Sequence, residues 1–243
     1  MTQRPPWISL FGGLASFFAA AMLVIGIGFG VAQDPFESVL APAEYARLLV
    51  EQGPLLRVVF ALDDLFLLSY CSFFVAYYVD RRGKTEPLAL RLLLAGVLAA
   101  GLLDAVENFH IRAMLSGAEQ GVLPSTLEIQ LQYLLSAIKF TIGYFAAICY
   151  GLGYPRHRPL ARAVAWSTGI GFPLVGVLVF ATPAPWSHGL ALVRVLFFVS
   201  GYALSALVFW PRARTTNDEA AHDLARLARE TGGDGARPTP APG

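Results

Sequence analysis

Six apolar segments, each long enough to cross a lipid bilayer, constrain this chain of 243 residues more than any other feature. A transmembrane helix needs roughly 20 predominantly apolar residues. Lipid offers the backbone no hydrogen-bond partner, and these segments lack the alternation of barrel strands, so we expect α-helices. The sequence predicts an all-α, polytopic integral membrane protein, a bundle of six transmembrane helices with short loops. The predicted spans are approximately 8–32, 55–79, 88–113, 128–153, 161–181 and 187–210.

The composition excludes several classes of protein. Hydrophobic residues make up 56% of the chain and charged residues 14%, far from the balance of a soluble globular domain. A net charge of +1 gives no basic surface for nucleic acid. The first apolar segment exceeds the core of a signal peptide, about 7–15 residues, and is predicted to be retained as an anchor. Cys71 and Cys149 lie in apolar segments and are predicted to be buried thiols.

Basic residues occur on every second connection between the predicted spans. They are Arg4 before the first span, Arg81, Arg82 and Lys84 after the second, Arg156, Arg158 and Arg162 after the fourth, and Arg212 and Arg214 after the sixth. Residues 33–54 contain Arg47 as their only basic residue, and residues 114–127 and 182–187 contain none. Because cytoplasmic loops are rich in Lys and Arg, both termini are predicted to be cytoplasmic. We expect a multi-pass protein of a bacterial-type inner (plasma) membrane.

The remaining segments have weaker signals. Residues 1–214 form the predicted transmembrane domain, and the Gly- and Pro-rich residues 215–243 a largely disordered cytoplasmic tail. Residues 36–52 are predicted to form a short amphipathic helix on the outer surface. Its side chains expected to face lipid are Phe36, Leu40, Tyr45, Leu48 and Leu49. Ser-Thr-Leu-Glu at 125–128 predicts a capping box that opens the fourth span.

Ionisable and amide side chains interrupt four of the spans. On the third span, Asp104, Glu107 and Asn108 lie within an arc of about 100°, with His110 at its edge. The others are Asp63 and Asp64 on the second span, Gln132 and Lys139 on the fourth, and Arg194 on the sixth. The predicted orientation brings all of them to a similar depth, between the midplane and the outer face. The sequence therefore predicts a polar, ionisable pocket in the outer half of the bundle.

The energetic cost of these charges indicates that they face one another or water. A charge near the centre of a membrane helix costs about 2.5–3.5 kcal/mol on insertion scales. The six charged side chains would together cost about 15–20 kcal/mol in lipid, more than the stability of a typical domain, about 5–15 kcal/mol. The six are Asp63, Asp64, Asp104, Glu107, Lys139 and Arg194.

The charges in this predicted cluster do not balance. Four acids meet two bases, or three if Arg57 is included. The excess indicates that one carboxyl is protonated or that a cation binds, and we select Glu107, which His110 and Asn108 flank. The expected ion pairs join Lys139 to Asp104 or Glu107. They also join Arg194 to Asp63 or Asp64.

The leading functional hypothesis is a membrane-embedded enzyme that uses acid–base chemistry on an amphiphilic or lipid-like substrate. The predicted catalytic residues are Asp104, Glu107 and Lys139. The predicted substrate-binding residues are Asp63, Asp64, Asn108, His110, Gln132 and Arg194. The expected partners are the lipid bilayer and a lipid-like or small-molecule ligand, with no nucleic acid.

Two alternatives stay open at this point. The chain could be a small proton- or cation-coupled transporter, or an accessory subunit in which a salt-bridge network only braces the helices. Glu107 and His110 also have the Glu-x-x-His spacing of di-iron bundles, but a full site needs two such motifs and the chain has one. No metal and no cofactor is therefore predicted.

Overall fold

The computed structural model describes residues 6–31, 33–156, 158–182 and 186–210, with the backbone alone at residues 34 and 186–188. Within this part of the chain all regular secondary structure is helical. The α-helices are α1 Trp7–Phe29, α2 Pro42–Arg81, α3 Pro87–Glu119, α4 Thr126–Gly153, α5 Pro159–Trp166, α6 Phe172–Ala181 and α7 Trp186–Phe209. A 3₁₀ helix, Asp34–Glu37, precedes α2, and a π-helical turn, Ser167–Gly171, joins α5 to α6. The predicted tail, 215–243, and the basic residues Arg4, Arg212 and Arg214 lie outside the described residues.

Six helical segments are long and apolar enough to cross a membrane, which is consistent with a multi-pass membrane protein. Five are α1, α2, α3, α4 and α7, and the sixth combines α5, the π turn and α6. Large apolar side chains cover their outward faces, among them Phe17, Ile27, Leu102 and Phe109, each more than 60% exposed. The fourth of these segments begins with the predicted capping box, in which Ser125 Oγ accepts from the Glu128 N–H.

The six segments form a closed ring. Each packs against its neighbours in chain order, and α7 packs against α1. One end of the ring, the first end, contains the connections 30–41 and 120–125; the opposite, second end contains 82–86 and 154–158. Because consecutive helices reverse direction, side chains from the end of α3 meet those from the start of α4 at the first end.

The helix α2 differs from its prediction. It runs for 40 residues through Pro54, in place of a surface helix followed by a separate span. Phe36, Tyr45 and Leu49, which were predicted to face lipid, are fully buried, and Leu40 and Leu48 pack against the same cluster. The physical reason is that α3 continues to Glu119, beyond its predicted span, so Met114, Leu115 and Ala118 join Ile111 in packing against α2.

Aromatic side chains fill the second end of the ring. The rings of Tyr77 and Tyr150 lie 4.9 Å apart, and those of Tyr150 and Tyr154 lie 5.0 Å apart. Phe209 of α7 packs on both Tyr77 and Tyr154. The Tyr77 hydroxyl donates to the carbonyl of Gly153. This aromatic cluster packs across the second end.

The π turn brings the fifth segment unusually close to α4. Pro173 cannot donate a backbone N–H, and the Phe172 N–H bonds to the Ser167 carbonyl five residues earlier. In this turn Gly169 faces Gly151 of α4, where an added Cβ would come within 2.6 Å of the Gly169 Cα. Only two glycines allow the backbones to approach this closely.

Candidate functional site

Lys139 is the centre of a buried group of charges near the first end of the ring. Its Nζ lies 3.0 Å from Asp104 Oδ1 and 2.8 Å from Glu107 Oε2. A third carboxylate, that of Glu37, lies 3.6 Å away. The predicted pairing of Lys139 with the third span is therefore confirmed, with both candidate acids taking part. We call Glu37, Asp104, Glu107, Lys139 and Arg194 the charged cluster.

A chain of hydrogen bonds also positions the Glu107 carboxylate. The Ser136 hydroxyl donates to Glu107 Oε1 over 3.0 Å, and Gln132 Nε2 lies 3.5 Å from that hydroxyl. Gln132 Oε1 in turn accepts from His110 Nδ1 over 2.9 Å. Glu107 and His110 thus bind different partners despite their Glu-x-x-His spacing. Among the described residues no group of three or more His, Cys, Asp or Glu side chains is arranged to hold a metal ion.

Asn108 joins the two aspartates of α2. Its Nδ2 lies 2.6 Å from Asp63 Oδ2 and 3.2 Å from Asp64 Oδ1, so it donates to both. Asp63 is buried, whereas the Asp64 side chain is 43% exposed and pairs with Arg112 over 2.5 Å. Arg112 was not predicted to belong to this polar group, although it follows Asn108 by four residues and therefore shares its helical face.

Arg194 has a different acidic partner from the predicted one. Its Nη2 lies 3.5 Å from Glu37 Oε2, whereas Asp63 and Asp64 bind Asn108 and Arg112. The guanidinium carbon lies 4.0 Å from the centroid of the Phe140 ring, a cation–π arrangement. Glu37 escaped prediction because it belongs to the 3₁₀ helix between α1 and α2, a segment that was assigned to the outer surface.

Arg57 does not belong to the charged cluster. It pairs with Glu119 over 2.6 Å, and both side chains are substantially exposed. Among the described residues the buried acids near Lys139 are therefore Glu37, Asp63, Asp104 and Glu107, and the buried bases are Lys139 and Arg194. The predicted excess of acid persists, with Glu37 in place of Asp64. In the same part of the chain no Lys or Arg nitrogen comes within 4.0 Å of Asp63.

The ring surrounds a partly open cavity of about 430 Å³ to which all six segments contribute. Among the described residues, four charged side chains line it, namely Glu37, Asp104, Lys139 and Arg194. Most of the other lining side chains are apolar or aromatic, including Phe66, Phe73, Phe140, Phe172, Phe198 and Tyr202. Asp63, Asp64, Glu107, Asn108, His110 and Gln132 are not among the lining residues.

Hydroxyl groups occur along the apolar part of the cavity. Tyr150 and Ser205 lie 3.0 Å apart at its boundary with the aromatic cluster of the second end. Near the charged residues, Tyr70 OH lies 3.5 Å from Asp104 Oδ2, so Asp104 stands between a phenol and the Lys139 ammonium. The cavity therefore has charged groups at one side and a largely apolar remainder.

No protein-family model, curated protein or solved structure matches this chain.

Proposed function

We propose that this chain is an integral membrane protein that binds an amphiphile in its central cavity and acts on it as an enzyme by acid–base chemistry. One observation carries the proposal: one cavity combines charged side chains with apolar and aromatic walls. Its volume of about 430 Å³ falls within the range of ligand sites, roughly 300–1,000 Å³. A molecule with a polar head and an apolar tail matches both parts.

The membrane setting rests on the six apolar segments and on the distribution of basic residues. The connections at the second end carry Arg81, Arg82 and Lys84. The connection 120–125 at the first end carries no Lys or Arg. Cytoplasmic loops are enriched in these residues, so the second end and both termini are proposed to be cytoplasmic. The charged cluster then lies in the outer half of the membrane.

In this setting the charged residues decide which molecule is selected. A lipid-like tail gains little by moving from lipid to an apolar cavity, because lipid tails are as apolar as the side chains that line it. The polar head gains more from the cavity, because charged groups that could bind it are rarely available inside a bilayer. Lys139 and Arg194 are proposed to bind the head, and the tail lies along Phe66 and Phe198.

Asp104 is the proposed general acid or base, because it lines the cavity and also contacts Lys139 and Tyr70. Lys139 and Arg194 would stabilise negative charge that develops on the substrate. Glu107 is a positioning residue, since it contacts Lys139 from outside the cavity lining. Asn108 donates to Asp63, whereas His110 and Gln132 belong to the hydrogen-bonded chain that reaches Glu107 through Ser136.

The cavity is tested by filling it. Gly143 of α4 is a lining residue, and a Cβ added there meets nothing within 4 Å. Gly143→Leu should therefore displace a bound amphiphile from protein purified in mild detergent, as measured by native mass spectrometry. Gly13→Leu is the matched control, because Gly13 is an exposed helical glycine that also has open space and does not line the cavity. Equal retention of ligand by both variants would contradict the proposal.

The chemistry is tested separately. Lipids that leave the membrane together with the wild-type protein are collected and incubated separately with wild type, Asp104→Asn and Glu107→Gln. The products are compared by mass spectrometry. Wild type should convert a lipid that Asp104→Asn binds without converting, and Glu107→Gln should retain part of the activity. If wild type bound the lipid without converting it, the proposed enzymatic activity would be contradicted.

A proton- or cation-coupled transporter is the second candidate, favoured by the excess of buried acid over base. Transport would need a path through the second end, where Tyr77, Tyr150, Tyr154 and Phe209 pack together. Proton uptake by proteoliposomes that is abolished by Asp104→Asn, without lipid conversion, would support transport. A salt-bridge brace predicts neither a retained ligand nor uptake.

A further inference from the structure

We infer that the amphiphile carries an anionic, carboxylate-like head that takes the place of the Glu37 carboxylate beside Arg194 and Lys139. This inference rests on the proposed function and names the substrate class of the same cavity. Of the charged lining residues that the structure describes, Glu37 comes from a connection, whereas Asp104, Lys139 and Arg194 lie within spans.

The contacts of Glu37 with the two bases are longer than those of the span acids with Lys139. Its carboxylate oxygens lie 3.6 Å from Lys139 Nζ and 3.5 Å from Arg194 Nη2. The span acids approach Lys139 more closely, at 2.8 and 3.0 Å. Charge-assisted N–H···O bonds are typically about 2.7–2.9 Å long, so the contacts of Glu37 are weak for an ion pair. Glu37 is therefore the carboxylate that a ligand can most easily replace.

Arg194 is suited to recognise such a head. Its guanidinium lies on Phe140, and its side chain is 5% exposed. A planar guanidinium binds carboxylates through two parallel N–H groups, and the two oxygens of a carboxylate-like head can accept both hydrogen bonds. Lys139, close beside the same ring, already contacts two span acids, so the exchange depends mainly on Arg194.

At the position of the Glu37 carboxylate, between Lys139 and Arg194, an anionic head fits better than a cationic one. When the Glu37 carboxylate moves out to water and another carboxylate takes its place, the net charge of the cavity is unchanged and both bases keep an acidic neighbour. A quaternary ammonium head at this position would instead add a third cation beside Lys139 and Arg194. A neutral head in its place would remove one acidic neighbour of Lys139 and of Arg194.

The test compares dodecyl amphiphiles that differ only in the head. Binding of laurate, dodecanol and dodecyltrimethylammonium is measured by calorimetry on purified protein in nanodiscs, with acetate as the anion that has no tail. Glu37→Gln removes the competing charge and should tighten the binding of laurate by about tenfold, the value of one charge-assisted hydrogen bond. Glu44→Gln, at an exposed position of α2, should leave the binding of laurate unchanged.

Arg194 supplies a second, independent variant. Arg194→Lys keeps the charge but loses the planar fork, so laurate should bind about tenfold more weakly. Arg57→Lys, at the exposed pair with Glu119, is its control. Preference for the quaternary ammonium, or unchanged laurate binding in Glu37→Gln, would overturn the inference while leaving the cavity intact. Acetate binding as tightly as laurate would also overturn it, because the tail would then play no part. Failure of all three dodecyl compounds to bind would overturn the proposed function itself.

Discussion

Asp104 of α3 and Lys139 of α4 form an ion pair within the ring, with 3.0 Å between Oδ1 and Nζ. Each side chain is less than 15% exposed. Glu107, one helical turn after Asp104, approaches the same ammonium from the same helix. One lysine therefore joins α3 and α4 by pairing with two carboxylates, so its removal affects the whole charged cluster.

Lys139→Met should lower the free energy of unfolding by about 3–5 kcal/mol, because it leaves buried carboxylates without their cation. Asp104→Asn or Glu107→Gln in the same background should restore part of this loss, since each removes one unpaired charge. A double-mutant cycle by chemical denaturation in detergent measures the coupling. Additive losses in both double variants would exclude the pairing.

Asn108→Asp should destabilise the protein more than Asn108→Ala. Asn108 donates to both Asp63 and Asp64, and its replacement by alanine costs about 1–3 kcal/mol by leaving a buried acceptor unsatisfied. An aspartate there adds a like charge beside Asp63. The additional loss of stability in Asn108→Asp, relative to Asn108→Ala, should become smaller as the pH falls, because a protonated carboxyl can again donate a hydrogen bond. Thermal unfolding at several pH values checks this, and an effect independent of pH would contradict it.

Gly151→Ala should be strongly destabilising, whereas Gly143→Ala should not be. The Cβ at position 151 would come within 2.6 Å of the Gly169 Cα and 2.7 Å of the Ala165 carbonyl oxygen. Both contacts are with backbone, so α4 and the π turn would have to separate. At position 143 the same Cβ meets nothing, and alanine should stabilise the helix by up to about 1 kcal/mol. Equal melting temperatures for the two variants would contradict this packing.

Single cysteines should report the proposed orientation. With Cys71 and Cys149 replaced by alanine, cysteines at Val39 and Gln120 should react with an impermeant maleimide in intact cells. Both positions are exposed at the first end. A cysteine at Glu86, exposed at the second end, should react only after the cells are opened. The reverse pattern would place the charged cluster in the inner half of the membrane.

The sequence was sufficient to predict the helices and part of the cluster. Six apolar segments separated by short polar connections leave a chain few alternatives to helices, because the backbone must satisfy its own hydrogen bonds in lipid. The contact of Lys139 with Asp104 and Glu107 was also predictable. The positions of these residues along their helices place them at one level, and a buried lysine requires an acid.

Only the tertiary structure decided which partners the other charges take. The sequence fixes neither the rotation of a helix about its axis nor the path of a connection. Arg194 therefore meets Glu37 from the 3₁₀ helix, and Asp64 turns outward to Arg112. Tyr45 and Leu49 are buried because α3 extends far enough to cover them, which no local pattern in α2 reveals. The cavity has the same origin, since it is the space left when six helices close into a ring, and its volume depends on how all six pack together.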